Sequence, residues 1–187
     1  PLTKVFPPMI NGSPSGVLTA GMELNDVLAA IGAEETQLTI NVDVVVTDDT
    51  TIPETLAVTV INGSTITISA NKTLTINGPF SAPLSQVFVA TTASNVEFNN
   101  KRCSIAYPEW WGANAGTTGD DLFAIQSAVD AFPSGNGKVV FTNVGYRVSD
   151  AIEITQSRMT LEGTIRVTRE NLTGTSTIIS TSNINPC

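Results

Sequence analysis

From Gln37 to Asn77 apolar and polar residues alternate in short runs broken by turn-forming pairs, and no other feature limits the fold as tightly. Leu38, Ile40, Val42 and Val44 alternate with Thr39, Asn41 and Asp43. Then come Leu56-Ala-Val-Thr-Val-Ile61, Thr65-Ile-Thr-Ile-Ser69 and Thr73-Leu-Thr-Ile-Asn77. A period of two sends successive side chains to opposite faces, so each run predicts a strand with one face buried. Asp48-Asp49, Asn62-Gly63, Asn71-Lys72 and Asn77-Gly78-Pro79 predict the turns between them. Strands this short and evenly spaced fit two architectures: an antiparallel sandwich of hairpins, or a solenoid whose turns lie one on the next. Leu-Thr-Ile-Asn occurs at Leu38 and again at Leu74, which favours repetition. Phe80, Val87-Phe-Val89 and Val96-Glu-Phe98 continue the strands.

Two segments follow a helical period instead. Leu122, Ile125, Ala128, Val129 and Phe132 recur at three- and four-residue spacing, which lines one face of a helix. Asp120 or Asp121 is expected to cap its start, and Pro133 with Ser-Gly-Asn-Gly ends it. Between Glu23 and Ile31, Leu24, Val27, Leu28 and Ile31 predict a short helix that Gly32 stops. A helix so short is marginal alone and must pack, either within the chain or in an intersubunit bundle. Ahead of it, Pro7-Pro8, Asn11-Gly12, Ser13-Pro14 and Gly16 predict an extended arm over Pro1 to Gly21. Such an arm is a loose terminus or an attachment segment that orders on a neighbour.

Charge narrows the partners. Nine basic and seventeen acidic residues leave a formal charge of -8, which gives no footprint for nucleic acid or an anionic membrane. There is no run of eighteen apolar residues and no secretory signal, and Pro1 reads as the residue left when an initiator Met is trimmed. Hydrophobic residues make up 41% and charged ones 14%, enough to bury a core under a surface that is polar without being ionic. Cys103 and Cys187 make neither a disulfide framework nor a metal cluster. The absence of histidine excludes Ser-His-Asp and Cys-His catalysis and histidine metal sites within the chain.

An ordered series of motifs carries a resemblance. Glu109-Trp-Trp-Gly-Ala113, Gly119-Asp-Asp121, Ala124-Ile-Gln126, Ala128, Ala131, Gly137-Lys-Val-Val-Phe141 and Gly145-Tyr146-x-Val148 resemble the opening of the pectate-lyase-like right-handed β-helix domains of bacteriophage tailspikes, tail fibres and depolymerases. The likeness spans Tyr107 to Gly163, and residues 36–99 resemble more loosely the strand-rich lead-in that often precedes it. Asn114-Ala-Gly116 stands where that family usually has Gly-Asp-Gly, and Asn143-Val-Gly145-Tyr146 where it has Pro-Pro-Gly-x-Tyr. The resemblance implies a mainly β fold: a right-handed parallel β-helix with a capping α-helix, behind a strand-rich lead-in and an extended arm. The expected division is 1–35 for the arm and short helix, serving virion attachment or oligomerisation, 36–106 for the lead-in, and 107–187 for the capping helix and first rungs. Those rungs are read in Lys138–Phe141, Tyr146–Val148, Ala151–Ile154, Met159–Leu161, Thr164–Val167 and Thr177–Ile179. No cap is legible after Thr181, so the chain is expected to be the front part of a longer fibre or spike.

Candidate chemistry is sparse. Trp110 and Trp111 can stack on sugar rings or fill the end of a hydrophobic stack, and the second role is expected. Asp48-Asp49 are adjacent in a turn and Asp120-Asp121 adjacent at a helix start, whereas glycoside hydrolysis needs two carboxylates about 5 to 10 Å apart across a cleft, so solvation or capping is expected. A lyase acting on uronates needs a cation and a base. Arg147, Arg158, Arg166 and Arg169 are scattered over different segments. Asn62-Gly-Ser, Asn71-Lys-Thr and Asn171-Leu-Thr match the glycosylation acceptor pattern by chance composition. No catalytic, cofactor-binding or metal residue is assigned, and no cofactor is expected. The resemblance implies a virion protein made in the host cytoplasm: a homotrimeric tail fibre or tailspike. It would link phage tail or baseplate proteins to a distal region that binds host surface polysaccharide. The alternatives are a polysaccharide lyase or glycoside hydrolase of the same fold and, third, a bacterial surface or secreted β-helix protein.

Overall fold

In the computed structural model, which describes residues 15–18, 23–31, 36–91, 95–99, 102–114, 119–142, 145–163 and 179–180, the alternating segments are strands. The first half contains β1 (Ser15–Leu18), α1 (Leu24–Ile31), β2 (Thr36–Ile40), β3 (Val44–Val46), β4 (Thr50–Ile52), β5 (Leu56–Val60), β6 (Ile66–Ile68), β7 (Leu74–Ile76), β8 (Phe80–Ser81), β9 (Phe88–Val89) and β10 (Val96–Phe98). After these come β11 (Ile105–Ala106), a 3-10 turn (Pro108–Trp111), α2 (Leu122–Asp130), β12 (Lys138–Phe141), β13 (Glu153–Ile154), β14 (Thr160–Gly163) and β15 (Ile179–Ser180).

Every pairing among the described residues is parallel, so the hairpin sandwich is ruled out there. The chain visits three sheets in rotation, ordered β1-β2-β5-β8, β3-β6-β9 and β4-β7-β10. From β2 onward through these sheets each strand pairs with the third strand after it. Val44 lies beside Ile66 and Ile66 beside Phe88, while Leu74 lies beside Val96. Two further sheets, β11-β12-β14 and β13-β15, follow.

Alternation decides the interior. Leu38, Ile40, Val44, Val46, Ile52, Leu56, Val58, Val60, Ile66, Ile68, Leu74 and Ile76 are all buried, and the residues that alternate with them inside the strands, Thr39, Val45, Thr51, Ala57, Thr59, Thr67 and Thr75, are exposed or half-buried. Each such aliphatic side chain contributes about 1.5–3 kcal/mol by leaving water. The unbroken run expected from Leu38 to Val44 is interrupted: β2 ends at Ile40 and β3 begins at Val44. Inward-facing residues keep their period through the bend, so the pattern alone does not show it. Asp43 stands at that corner, and its Oδ1 accepts from both the N–H and the hydroxyl of Thr65 at 2.9 Å. Asp49 repeats the device at the next corner, accepting from the N–H of Thr73 at 2.9 Å.

The arm expected over Pro1 to Gly21 is in part a strand, since β1 pairs with β2 and Leu18 is buried; residues 1–14 and 19–22 lie outside the described residues. α1 forms as expected, with Leu24 buried and Val27, Leu28 and Ile31 packed on the same core. Among the later expected strands, Tyr146–Val148 is irregular, Ala151–Ile154 shortens to β13, and Met159–Leu161 shifts to β14. Of Thr177–Ile179 only Ile179 falls in a described strand, β15, and Thr164–Val167 lies outside the described residues.

α2 is inserted between two paired strands. Ile105 lies beside Lys138, 33 residues on, whereas Lys138 lies beside Thr160 after 22. The longer span holds the 3-10 turn and the helix. Ile125, Ala128, Val129 and Phe132 are buried as expected, and Leu122 is half-buried. Two backbone bonds place the inserted elements against open strand edges: Val87 N–H donates to Trp110 O at 2.9 Å, and Phe98 N–H donates to Ala131 O at 2.6 Å. The turn and the helix end thus satisfy groups that would otherwise be left unpaired at the edges of two sheets.

Candidate functional site

The seam where α2 and the 3-10 turn meet the sheets holds Glu109, Asp121 and Ser127, three of the seven buried polar side chains among the described residues. Pro108 opens the turn, because its missing N–H has no helical partner to lose there, and Gly112 closes it at φ 91°, a left-handed angle that favours glycine. This geometry turns both tryptophans inward. Trp110 packs on Phe80 with ring centroids 5.3 Å apart and Trp111 on Phe88 at 5.0 Å, while Phe98 meets Phe132 at 5.4 Å. Trp110 Nε1 donates to Pro83 O at 3.0 Å. Both tryptophans are only 3% exposed, so their faces fill the core and are closed to a sugar ring.

Between Pro108 and Trp110 stands a buried carboxylate that the sequence reading left without a role. Glu109 Oε1 accepts from Thr142 Oγ1 at 2.7 Å and from the hydroxyl of Tyr146. Its partners lie 33 and 37 residues along the chain, so no local signal points to them.

The acidic pairs are structural. Asp121 is buried; its Oδ1 accepts from Asn114 N–H at 2.8 Å and its Oδ2 from Arg147 N–H at 3.0 Å. It makes no side-chain cap bond to α2; of the two residues expected as the cap, Asp120 is the one that bonds the helix start. Asp120 takes that part through Oδ1, which accepts from Leu122 N–H at 3.1 Å and from Ser149 N–H at 3.1 Å, while Oδ2 accepts from Ser149 Oγ at 2.6 Å. Burial works against the Asp120 charge, yet the bonds from Ser149 and Leu122 outweigh it and hold the carboxyl below its usual range. Asp48 lies 3.6 Å from Lys72 Nζ, and Asp49 holds Thr73.

Among the described residues the expected arginines do not converge. Arg147 acts through its backbone on Asp121, Arg158 sits exposed in a turn at φ 58°, and Arg166 and Arg169 lie outside the described residues. Cys103 is buried, and burial pushes its thiol up to about 12 despite a contact to Ile105 O; Cys187 lies outside the described residues. Asn62 and Asn71 are in exposed turns, and Asn171 lies outside the described residues.

Open depressions among the described residues flank the seam. One of about 300 Å³ lies between β8 and β11 and is lined by Phe80, Ser81, Cys103, Ser104, Tyr107 and Trp110 among others. The other, about 320 Å³, lies beside α2 and brings together Gln126, Asp130, Asp150 and Glu153. Gln126 is tied down on both sides. Its Nε2 donates to Asp130 Oδ1 at 3.1 Å and to Glu153 O at 3.0 Å, and its Oε1 accepts from Glu153 N–H at 2.9 Å. Asp130 also accepts from Gln156 Nε2 at 3.2 Å. Among the described residues no group of three or more His, Cys, Asp or Glu is placed to hold a metal ion, and no helix is long and apolar enough to cross a membrane. Compared with protein-family models, curated proteins and solved structures, the chain matches none.

Proposed function

We propose that the chain is the virion-proximal part of a bacteriophage tail fibre or tailspike, built as a right-handed parallel β-helix and assembled as a homotrimer. In this role it joins phage tail or baseplate proteins to a distal region that binds host surface polysaccharide. The observation that carries the reading is the rotation of parallel strands through three sheets, with Val44, Ile66 and Phe88 side by side in one of them. Parallel strands joined by crossovers within one sheet take the right-handed path in about 98% of cases, which supports the handedness. A rod of stacked parallel strands fits a spacer that transmits position rather than chemistry, and the seam carboxylates Glu109, Asp120 and Asp121 are occupied with backbone N–H groups and neighbouring hydroxyls. The test is the mass of the purified chain in sedimentation velocity. Three chains per particle agree with the proposal, and a dispersed monomer overturns it.

A polysaccharide depolymerase of the same fold is the second reading. It is favoured by the depression that holds Asp130, Asp150 and Glu153, since paired carboxylates are what glycoside hydrolysis uses. Incubation with host capsule, followed by assay for new reducing ends or unsaturated uronates, separates the two: product supports the enzyme, and its absence leaves the spacer.

A further inference from the structure

We infer that Asn62-Gly63 is a site of self-modification, where the folded chain converts asparagine to aspartate and isoaspartate with water as the co-reactant, while the fold protects Asn77-Gly78 and Asn136-Gly137 from the same reaction. The inference does not depend on the fibre reading.

The reaction makes definite demands on the backbone. The nitrogen of the residue after asparagine loses its proton to solvent and attacks the side-chain Cγ. The Cγ–Nδ2 bond breaks, ammonia leaves, and a cyclic succinimide is formed. Water then opens the ring. Addition at the side-chain carbonyl gives aspartate, and addition at the main-chain carbonyl gives isoaspartate, in which the backbone runs through the former side chain. The sum is asparagine plus water going to a carboxylic acid plus ammonia. Glycine is the most permissive following residue, because no Cβ shields its nitrogen. The peptide between the two residues must also turn until nitrogen and Cγ meet, and a packed or hydrogen-bonded backbone does this only by opening locally.

Asn-Gly occurs at Asn11, Asn62, Asn77 and Asn136, and the first pair lies outside the described residues. The other three share the dipeptide but differ in their surroundings. Asn62 and Gly63 are both exposed and form the centre of a turn closed by the Ser64 N–H, which donates to Ile61 O at 3.2 Å. The peptide that must turn is the middle unit of that turn and takes no part in its closing bond. Nothing lies within 4 Å of a Cβ built on Gly63, so the space for that rotation is open.

The other two pairs are clamped. The Asn77 N–H donates to Ile52 O at 3.0 Å, and Gly78 is buried, with its Cβ position 2.1 Å from Leu56 O and 2.8 Å from Pro53 O. The Asn136 N–H donates to Ser157 O at 3.1 Å, and Gly137 O accepts from Thr160 N–H at 2.9 Å. Gly137 is buried on the Phe132 ring, and the Asn136 side-chain amide is drawn to Ser134 O at 3.4 Å. On either side of Asn62-Gly63 the chain is fixed, since Ile61 N–H donates to Ile40 O at 3.0 Å and Ser64 is buried. The extra main-chain carbon of isoaspartate is therefore confined to the tip of the corner between β5 and β6. Its carboxylate adds to a chain that already carries a formal charge of -8.

The test holds the full chain at mildly alkaline pH, natively and in urea, and reads acidic digests by tandem mass spectrometry, which assigns each converted position. In the native chain Asn62 is expected to convert first, to more isoaspartate than aspartate, with Asn77 and Asn136 about tenfold slower or more because each reacts through a local opening. In urea the three rates are expected to converge. Methyl acceptance from an isoaspartyl methyltransferase gives a second readout in an Asn11→Gln background. The aged native chain is expected to accept methyl groups and Asn62→Gln to lose that capacity with an unchanged far-UV circular dichroism spectrum, since the longer side chain closes a ring far more slowly. A native chain in which Asn62 is no faster than Asn77 and Asn136 overturns the inference. So does a ranking that persists in urea, or methyl acceptance that survives in Asn62→Gln.

Discussion

Asp121 and Arg147 hold each other through reciprocal bonds: the Asp121 N–H donates to the Arg147 carbonyl at 2.7 Å, and the Arg147 N–H donates back to Asp121 Oδ2 at 3.0 Å. The other carboxylate oxygen holds Asn114 N–H, so one buried side chain fastens two loops to the start of α2. Asp121→Ala leaves both N–H groups without their charged acceptor. The expected loss is about 2–4 kcal/mol, since a bond to a charged group contributes about 1.5–3 kcal/mol and neighbouring losses do not add fully. Asp121→Asn, which keeps one acceptor oxygen, should lose less. Urea midpoints of the three chains check the order.

Asp120 makes stability depend on pH in a direction that follows from its environment. Its folded pKa is depressed, burial being outweighed by the bonds from Ser149 and Leu122. A depressed carboxylate contributes stability that is present above its unfolded pKa and lost as pH falls through the folded one. The midpoint difference between wild type and Asp120→Ala is therefore expected to be full near neutrality and to shrink in acid. A difference that grows as pH falls would contradict this assignment.

The positions of β6 and β7 and the buried face of α2 are legible in the sequence, because alternation at Ile66–Ile68 and Leu74–Ile76 and the spacing of Ile125 and Val129 are local consequences of side-chain geometry. What local pattern cannot carry is partnership. Asp120 and Asp121 are chemically alike and adjacent, and only the approach of Arg147 and Ser149 assigns the loop fastening to one and the capping bond to the other. Glu109 is hidden for the same reason, since Thr142 and Tyr146 reach it from another part of the chain. Tyr146–Val148 alternates as a strand does, yet the Arg147 backbone is taken by Asp121 instead of by a neighbouring strand.

Glycines that look interchangeable in a turn-rich sequence are predicted to differ sharply. A Cβ at Gly78 would lie 2.1 Å from Leu56 O, a backbone atom, and one at Gly137 would lie 2.1 Å from Phe132 Cγ, inside the core. At Gly63 nothing lies within 4 Å, and only the left-handed φ of 89° resists a side chain. Gly63→Ala should therefore cost about 1 kcal/mol, the ordinary penalty for that conformation. Gly78→Ala and Gly137→Ala should cost more, on the scale of about 1–3 kcal/mol seen for overpacking. Thermal midpoints rank the three.

Cys103 is expected to be chemically silent in the folded chain. A thiol raised from 9.0 to about 12 by burial has about a thousandfold less thiolate near neutral pH, and the thiolate is the reacting species. In a Cys187→Ser background a disulfide-exchange reagent should label the native protein slowly and the denatured protein at once. Fast native labelling would show that the β11 side of the depression near Phe80 opens in solution.

Gln126 supplies what a strand edge normally supplies. Its side-chain amide donates to Glu153 O and accepts from Glu153 N–H, the same two groups that a neighbouring strand would meet, and so anchors β13 to α2. Gln126→Glu keeps the shape and the acceptor but turns the donor into a second carboxylate oxygen. That oxygen faces Glu153 O and the Asp130 carboxylate, which now accepts from Gln156 alone of the two amides. Lost bonding and like-charge repulsion act together, so Gln126→Glu is expected to cost about 1–3 kcal/mol, and more than Gln126→Ala, which loses the bonds without adding charge. The excess should vanish in acid as the new carboxyl is protonated. Urea unfolding of both variants at neutral and acidic pH measures it, and an excess that is insensitive to pH would rule out the electrostatic part.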